Sequence, residues 1–352
     1  MISRRVLLYR LRVVIYISII WVIFSLIFKY NIIGIDRDLL AERRVGYFSL
    51  AFAIIGLIVS GVEAFLLKNA SRNLPFWLSL MLRLTLTLIM FLIISVIFLL
   101  AYFVFRYDGD FREFTSVFYN KIFFTPSYLM LMLDLGVLAF MSILLLEIID
   151  KYGPGGFTNM ILGHYNTPKI ENRIFIFLDI NNSTTIAEKL GHEKYFMLLK
   201  DFFADITEPI LANGGEIYQY VGDEVVISWK TNSKNKERCL NFIRQAMEAI
   251  SKKKKIYSTR YGFAPTFKTG IHAGDVTAGY IGIIKKELVY SGDTLNTTAR
   301  IRSKCHELNH SYVFSAGFLD GFTVPPIFRS DEIGEMFLKG REEKEKLYSL
   351  VF

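Results

Sequence analysis

The sequence predicts a two-part protein, an α-helical transmembrane bundle followed by an α+β domain. Hydrophobic residues make up 52% of the 352 positions, high for a chain that lives wholly in water. That excess fills the first 150 residues and then stops. From Arg173 onward, short apolar runs of strand length alternate with longer stretches of helical period. The length suits one ordinary domain plus a second element.

Four apolar segments, at about 11–28, 47–67, 76–105 and 124–149, are each long enough to cross a bilayer. The third exceeds the need and is expected to tilt or project. The first is opened by Arg4, Arg5, Arg10 and Arg12 but is long for a signal peptide and lacks a small-residue cleavage site, so it reads as a retained span. Basic residues near the span ends divide evenly between the two sides, which leaves orientation undecided by charge. An even number of spans places both termini on one side.

Inside the spans stand Glu63, Arg83 and Asp134. Charge in a bilayer is costly and usually paired. Arg83 has either acid in reach, and Asp134 is expected to face the bundle interior and pair with Arg83. The other reading has Arg83 and Glu63 snorkelling to the interface.

Residues 151–172 read as a linker. Gly153-Pro154-Gly155-Gly156 ends the last membrane helix, a short apolar turn runs from Phe157 to Leu162, and Pro168 closes the segment. The domain at 173–352 follows. "RIFIFLDI" is a buried strand. Residues 183–215 form a helix interrupted near Gly191, capped by Ser183 or Thr184 and stopped by Gly214-Gly215. "EIYQYVGDEVVISWK" is a hairpin turning at Val221-Gly222-Asp223. A helix spans about 235–253, "FKTGIHAGDVTAGYIG" is strand and loop, and "TLNTTARIRSKCHEL" is a third helix.

The net charge of +8 is spread evenly. The first 150 residues hold 14 basic and 10 acidic residues, leaving 27 of 41 and 23 of 33 for the rest. That balance argues against a nucleic-acid face. The basic run Lys252 to Lys255 reads as a solvated helix end. Cys239 and Cys305 form neither a disulfide framework nor a metal-ligand spacing.

The acids inside the strand regions carry the chemistry. Asp179 ends a strand before a helix, and Asp223 sits at a hairpin tip. Carboxylates on neighbouring strand ends can chelate a pair of divalent cations, an arrangement suited to phosphoryl transfer. The loop Asn181-Asn182-Ser183-Thr184 offers backbone N–H groups at a helix start, a natural phosphate cradle. Taken singly, Asp179 also reads as a helix cap and Asp223 as a turn residue. Glu224 alternates with Asp223 and is expected on the opposite face in a structural role. Asn296 and Arg300, four apart, share one helix face. Arg300 suits phosphate oxygens and Asn296 a sugar hydroxyl.

"FLDINNST", "YVGDEVVISW", "TGIHAGDVTAGYIG" and "SGDTLNTTARI", in this order, resemble the class III nucleotide cyclase catalytic domain over about residues 170–352. The resemblance implies a ferredoxin-like catalytic fold in which two aspartates bind two Mg²⁺ or Mn²⁺ ions. The ribose 3′-hydroxyl of ATP attacks the α-phosphate, and cyclic AMP and pyrophosphate result. Asp179 and Asp223 match the metal aspartates, Asn296 the ribose-orienting asparagine and Arg300 the transition-state arginine. It further implies a homodimer whose sites take metals from one chain and the Asn/Arg pair from the other.

The usual purine selectors, lysine and aspartate or threonine, are replaced by Gln219 and Val289, so GTP stays open as the substrate. Gln219 can still read a purine edge. The substrate-binding set is therefore Asn182, Ser183, Thr184, Gln219 and Val289. The expected protein is a multi-pass adenylate cyclase of the inner (plasma) membrane with its catalytic domain in the cytoplasm, touching ATP, a second copy and the bilayer but no nucleic acid. Rival readings are a guanylate cyclase, a degenerate nucleotide-binding signalling module, and a transporter or receptor with a regulatory domain. The last lacks an obvious path of polar residues through the spans.

Overall fold

The structure, a computed structural model, describes residues 4–33, 42–67, 74–107, 125–153, 156–340 and 342–351. The chain separates into two compact units, residues 7–152 and essentially the rest.

The first unit holds α1 (Arg4–Ile33), α2 (Glu42–Val62), a π-helical turn (Glu63–Leu67), α3 (Phe76–Tyr107) and α4 (Pro126–Tyr152). Two of these contain runs long and apolar enough to cross a membrane, Phe76–Ile94 and Tyr128–Tyr152. The described apolar runs Val13–Ser25 and Phe52–Leu67 are shorter. The interior is mainly apolar but holds several polar side chains, and the outside is apolar as well. Ser18, Ser60, Thr87 and Ser142 are buried, while Ile15, Ile19, Ile93 and Leu133 lie on the outside. Trp21 is fully enclosed and donates from Nε1 to Ser142 Oγ at 2.9 Å.

The internal charges are paired, but not as the sequence suggests. Arg83 is 2% exposed and does not snorkel. Its Nε donates to Glu63 Oε2 at 2.8 Å and its Nη1 to Glu147 Oε1 at 2.5 Å. Thr87 Oγ1 completes the cluster by donating to Glu63 Oε1 at 3.1 Å. Asp134 is half-buried and outside this cluster. It lies 13 residues before Glu147 on α4, about 20 Å along the axis, so one arginine cannot serve both levels. Of the glycine-rich break, Gly153 takes φ +71° just after α4 ends. Pro154 and Gly155 lie outside the described residues.

The second unit opens with α5 (Gly156–Ile161), a helical turn where the sequence suggests an apolar turn. Then β1 (Lys169–Ile180) begins earlier than its apolar part, because Lys169 to Asn172 pair with β4 despite being mostly polar. Next come α6 (Ser183–Leu190), α7 (His192–Ala212), β2 (Glu216–Val221), β3 (Glu224–Lys230), α8 (Ser233–Lys252), α9 (Lys254–Tyr261), β4 (Phe267–Ile281), β5 (Glu287–Ser291), α10 (Asp293–Glu307), β6 (Tyr312–Ser315), α11 (Ala316–Leu319), β7 (Arg329–Phe337) and β8 (Lys344–Val351). The break between α6 and α7 falls at Gly191, whose φ of +74° favours glycine.

The strands form one mixed sheet of order β2-β3-β1-β4-β6-β8-β7, with β5 paired to β4. Alternation along β1 divides its side chains between the two faces. Ile174, Ile176, Leu178 and Ile180 join the core built with Phe202, Ile206, Phe242 and Ile243 of α7 and α8. Phe175 and Phe177 join Val226, Val276 and Tyr290 on the opposite face.

Helix α10 lies against that second face, with Thr294, Thr298, Ile301 and Cys305 as its buried stripe. Gly270 on β4 permits the close approach, since a Cβ there would sit 2.3 Å from the Arg302 backbone nitrogen. Cys239 and Cys305 are free and buried.

Candidate active site

Strand register builds the site. In the β1–β3 pairing Asp179 stands directly opposite Glu224, and in the β1–β4 pairing opposite Lys268. Directly opposed residues project to the same face of a sheet. Asp223 is not in a strand. It occupies the two-residue turn after Gly222, whose φ of +61° lets the hairpin close. Alternation therefore fails across the turn, and the expected placement of Glu224 away from the acids is corrected. Glu224 shares the face of Asp179 and is 8% exposed.

The carboxyl groups of Asp179 and Asp223 lie close enough to shift each other's acidity, with Ser183 beside Asp223. Burial and the neighbouring Asp223 push the Asp179 carboxyl up to about 6, against the pull of Arg302 and Lys268. Burial also works to raise Asp223, but its neighbours Asp179 and Ser183 prevail and hold it below the ordinary carboxylate value. The two carboxyl groups are thus driven apart in acidity by burial and by each other. Burial raises Glu224 as well, in spite of Arg302.

Arg302 of α10 spans the two acids of the sheet. Its Nη1 donates to Asp179 Oδ2 at 3.2 Å, and its Nη2 lies 2.7 Å from Glu224 Oε2 as an ion pair without hydrogen-bond alignment. Lys268 Nζ lies 3.4 Å from the same Asp179 oxygen. Sequence reasoning missed Arg302, Lys268 and the role of Glu224. The available signal was the location of Asp179 in a covered strand, where a buried carboxylate requires a cation.

Helix α6 starts at Ser183. Asn182 stands at its N-cap with φ 55° and makes no side-chain cap hydrogen bond, so the capping expected of Ser183 or Thr184 is not the role of this loop. Ser183 lies beside Asp223 and Tyr195 instead. Asn182 and Thr184 are exposed beside it.

Asn296 and Arg300 do not join the acids. Arg302 follows Arg300 by two residues, about 200° around the helix, whereas Asn296 and Arg300 are about 40° apart. The Asn296/Arg300 face is therefore turned away from the face that reaches Asp179. Asn296 is exposed. Arg300 approaches Asp293 only at 4.0 Å, and its buried Nη1 has no hydrogen-bond partner among the described residues.

Gln219 is exposed on β2 beside a bulge, and Val289 is half-buried on β5 opposite Gly279. Their neighbours Tyr218 and Tyr290 meet edge-on at 5.0 Å, which draws the two strands to one side.

Among the described residues no three His, Cys, Asp or Glu side chains converge as a closed metal cage. Two neighbouring carboxylates nevertheless suit Mg²⁺ or Mn²⁺, which commonly take one or two carboxylates and complete their shell with phosphate oxygens and water.

The family profile described as "Adenylate and Guanylate cyclase catalytic domain" matches residues 166–351, more than half of the chain. The chain belongs to this family, and its second unit has the class III cyclase catalytic fold. It is similar to "Adenylate cyclase 2" of Rhizobium meliloti (strain 1021), 33% identical over 59% of this chain and 58% of that protein. "Adenylate cyclase 1" of the same organism is 27% identical over 50% of this chain and 27% of that protein. The chain thus spans less than two thirds of these relatives. A solved bacterial light-regulated adenylyl cyclase aligns with a TM-score of 0.47 at 23% identity, covering 58% of this chain and 60% of that one.

Proposed function

We propose that the chain is an adenylate cyclase that converts ATP to 3′,5′-cyclic AMP and pyrophosphate. The observation that carries this reading is the Asp179 carboxyl near the end of β1 beside the Asp223 carboxyl in the β2–β3 turn. Adenine as the base is supported by the names of the relatives, both adenylate cyclases.

Asp179 and Asp223 would hold two Mg²⁺ or Mn²⁺ ions, which supply the positive charge that favours the 3′-alkoxide and spreads the charge of the triphosphate. Ser183 orients Asp223, and the amides of Asn182 to Thr184 face the phosphates. Asn296 fixes the ribose so that its 3′-oxygen lies in line with the α-phosphorus and the departing pyrophosphate. Arg300 donates to the phosphate oxygens as that bond breaks. Gln219 and Val289 contact the purine, Gln219 through its amide.

The opposed faces of α10 support a homodimer with composite sites. One copy supplies Asp179 and Asp223, and the other supplies Asn296 and Arg300.

Residues 1–150 act as a four-helix membrane domain of the inner membrane, residues 151–172 as the linker, and residues 173–352 as the catalytic domain on the cytoplasmic side, where nucleotide is found. The outward apolar side chains of the first unit, with a few polar groups enclosed among its helices, support a membrane domain.

The test is product analysis. Detergent-purified full-length protein is incubated with ATP or GTP and Mn²⁺, and the products are separated by mass. Cyclic AMP is expected. Cyclic GMP would retain the mechanism and overturn the base assignment. Neither product from a dimeric protein would overturn the catalytic reading in favour of a nucleotide-binding module.

A further inference from the structure

The candidate metal site already holds positive charge of its own. Arg302 is anchored on α10, whose backbone touches Gly270 of β4, and its guanidinium forks between Asp179 at 3.2 Å and Glu224 at 2.7 Å. Lys268 adds a second cation 3.4 Å from the same Oδ2 of Asp179. Asp223 and Tyr195 are further ionisable groups beside Asp179.

An arginine here is not needed to balance Glu224 alone, because either acid would occupy one edge of the fork. It reaches both acids, and one of its contacts engages a carboxyl group assigned to the metal pair. We infer that Arg302 is an intramolecular counter-cation of Asp179 that a divalent ion must displace, with Glu224 as the anchor that retains the guanidinium beside the site. This rests on the reading of Asp179 and Asp223 as the metal pair.

Two consequences follow from the geometry. The Arg302–Asp179 contact ties α10 to β1, and α10 also carries Asn296 and Arg300. Metal loading therefore releases a tie on the helix that serves the partner's site. Glu224 acts as a positioning residue, since without it the guanidinium has only Asp179 to bind. Electrostatics sets the size of the effect. A unit charge about 5 Å from a divalent ion repels it enough to weaken binding roughly ten-fold, even at the dielectric constant of water.

The experiment is a Mn²⁺ titration of the full-length protein at pH 8 without nucleotide, followed by the paramagnetic signal of free Mn²⁺. Arg302→Gln should bind Mn²⁺ roughly ten-fold more tightly than the wild type. Arg302→Lys, which keeps the charge, should stay near wild type. Glu224→Gln should bind several-fold more weakly, because the guanidinium then rests on Asp179 alone.

Melting provides a second readout. Saturating Mn²⁺ should raise the melting temperature of Arg302→Gln more than that of the wild type, whose tie to Asp179 must first break. Wild-type or weaker affinity in a folded Arg302→Gln overturns the inference. If that variant does not fold, Arg302→Met decides, and unchanged or weaker binding overturns the inference. Mn²⁺ binding that survives Asp179→Asn would instead overturn the metal assignment itself, a distinguishable failure.

Discussion

Gly270→Ala tests how closely the function depends on the seat of α10. The new Cβ would lie 2.3 Å from the Arg302 backbone nitrogen, 2.7 Å from its Cα and 2.7 Å from the Thr298 carbonyl oxygen. All three are helix backbone, so no side-chain rotation relieves them. Ordinary contact starts at 3.4 Å. The helix must therefore retreat by about 1 Å (3.4 − 2.3), or the strand must bend by as much.

Overpacking of this kind costs about 1–3 kcal/mol, which for a domain of this size lowers melting by roughly 2–4 °C per kcal/mol. The larger effect falls on turnover, because α10 carries Asn296 and Arg300. A displacement of about 1 Å in groups that position a reacting substrate costs roughly 100-fold. The assay is cyclic nucleotide formation by the detergent-purified chain, with melting measured on the same preparation. Gly61→Ala in α2 is the control, since a Cβ there meets nothing within 4 Å and its melting should not fall. Turnover within two-fold of wild type and an unchanged melting temperature in Gly270→Ala would refute the argument.

Other perturbations have equally definite outcomes. Asp179→Asn and Asp223→Asn should each abolish cyclisation in a folded protein, and residual activity within about ten-fold of wild type would sink the metal assignment. Co-expressing Asp223→Asn with Arg300→Ala should restore partial activity, because one composite site is then whole. Confirmed heterodimers without activity would count against shared sites. In the helical unit, Arg83→Leu leaves Glu63 and Glu147 uncompensated and should cost about 3–5 kcal/mol, read as a lower melting temperature in detergent. Asp134→Asn should leave melting unchanged, and a loss comparable to that of Arg83→Leu would show a partner for Asp134 that the geometry does not.

Much of this protein was legible in the order of its residues. Period and length alone mark the apolar spans, the interruption at Gly191 and the hairpin around Gly222, since each is a local property of backbone and solvent. The four motifs also single out Asp179, Asp223, Asn296 and Arg300 as candidates, because their residue types and spacing are local features of the sequence. Tertiary structure decided the rest. Glu224 changed face because the turn residue Asp223 breaks strand alternation. Arg83 took Glu63 and Glu147 rather than Asp134 because helix packing sets which levels meet. Arg302 reaches Asp179, 123 positions away in sequence, only because Gly270 lets α10 lie on β4. Ion pairs between distant segments depend on register and on the separation of packed surfaces, and neither quantity is written in any local stretch of sequence.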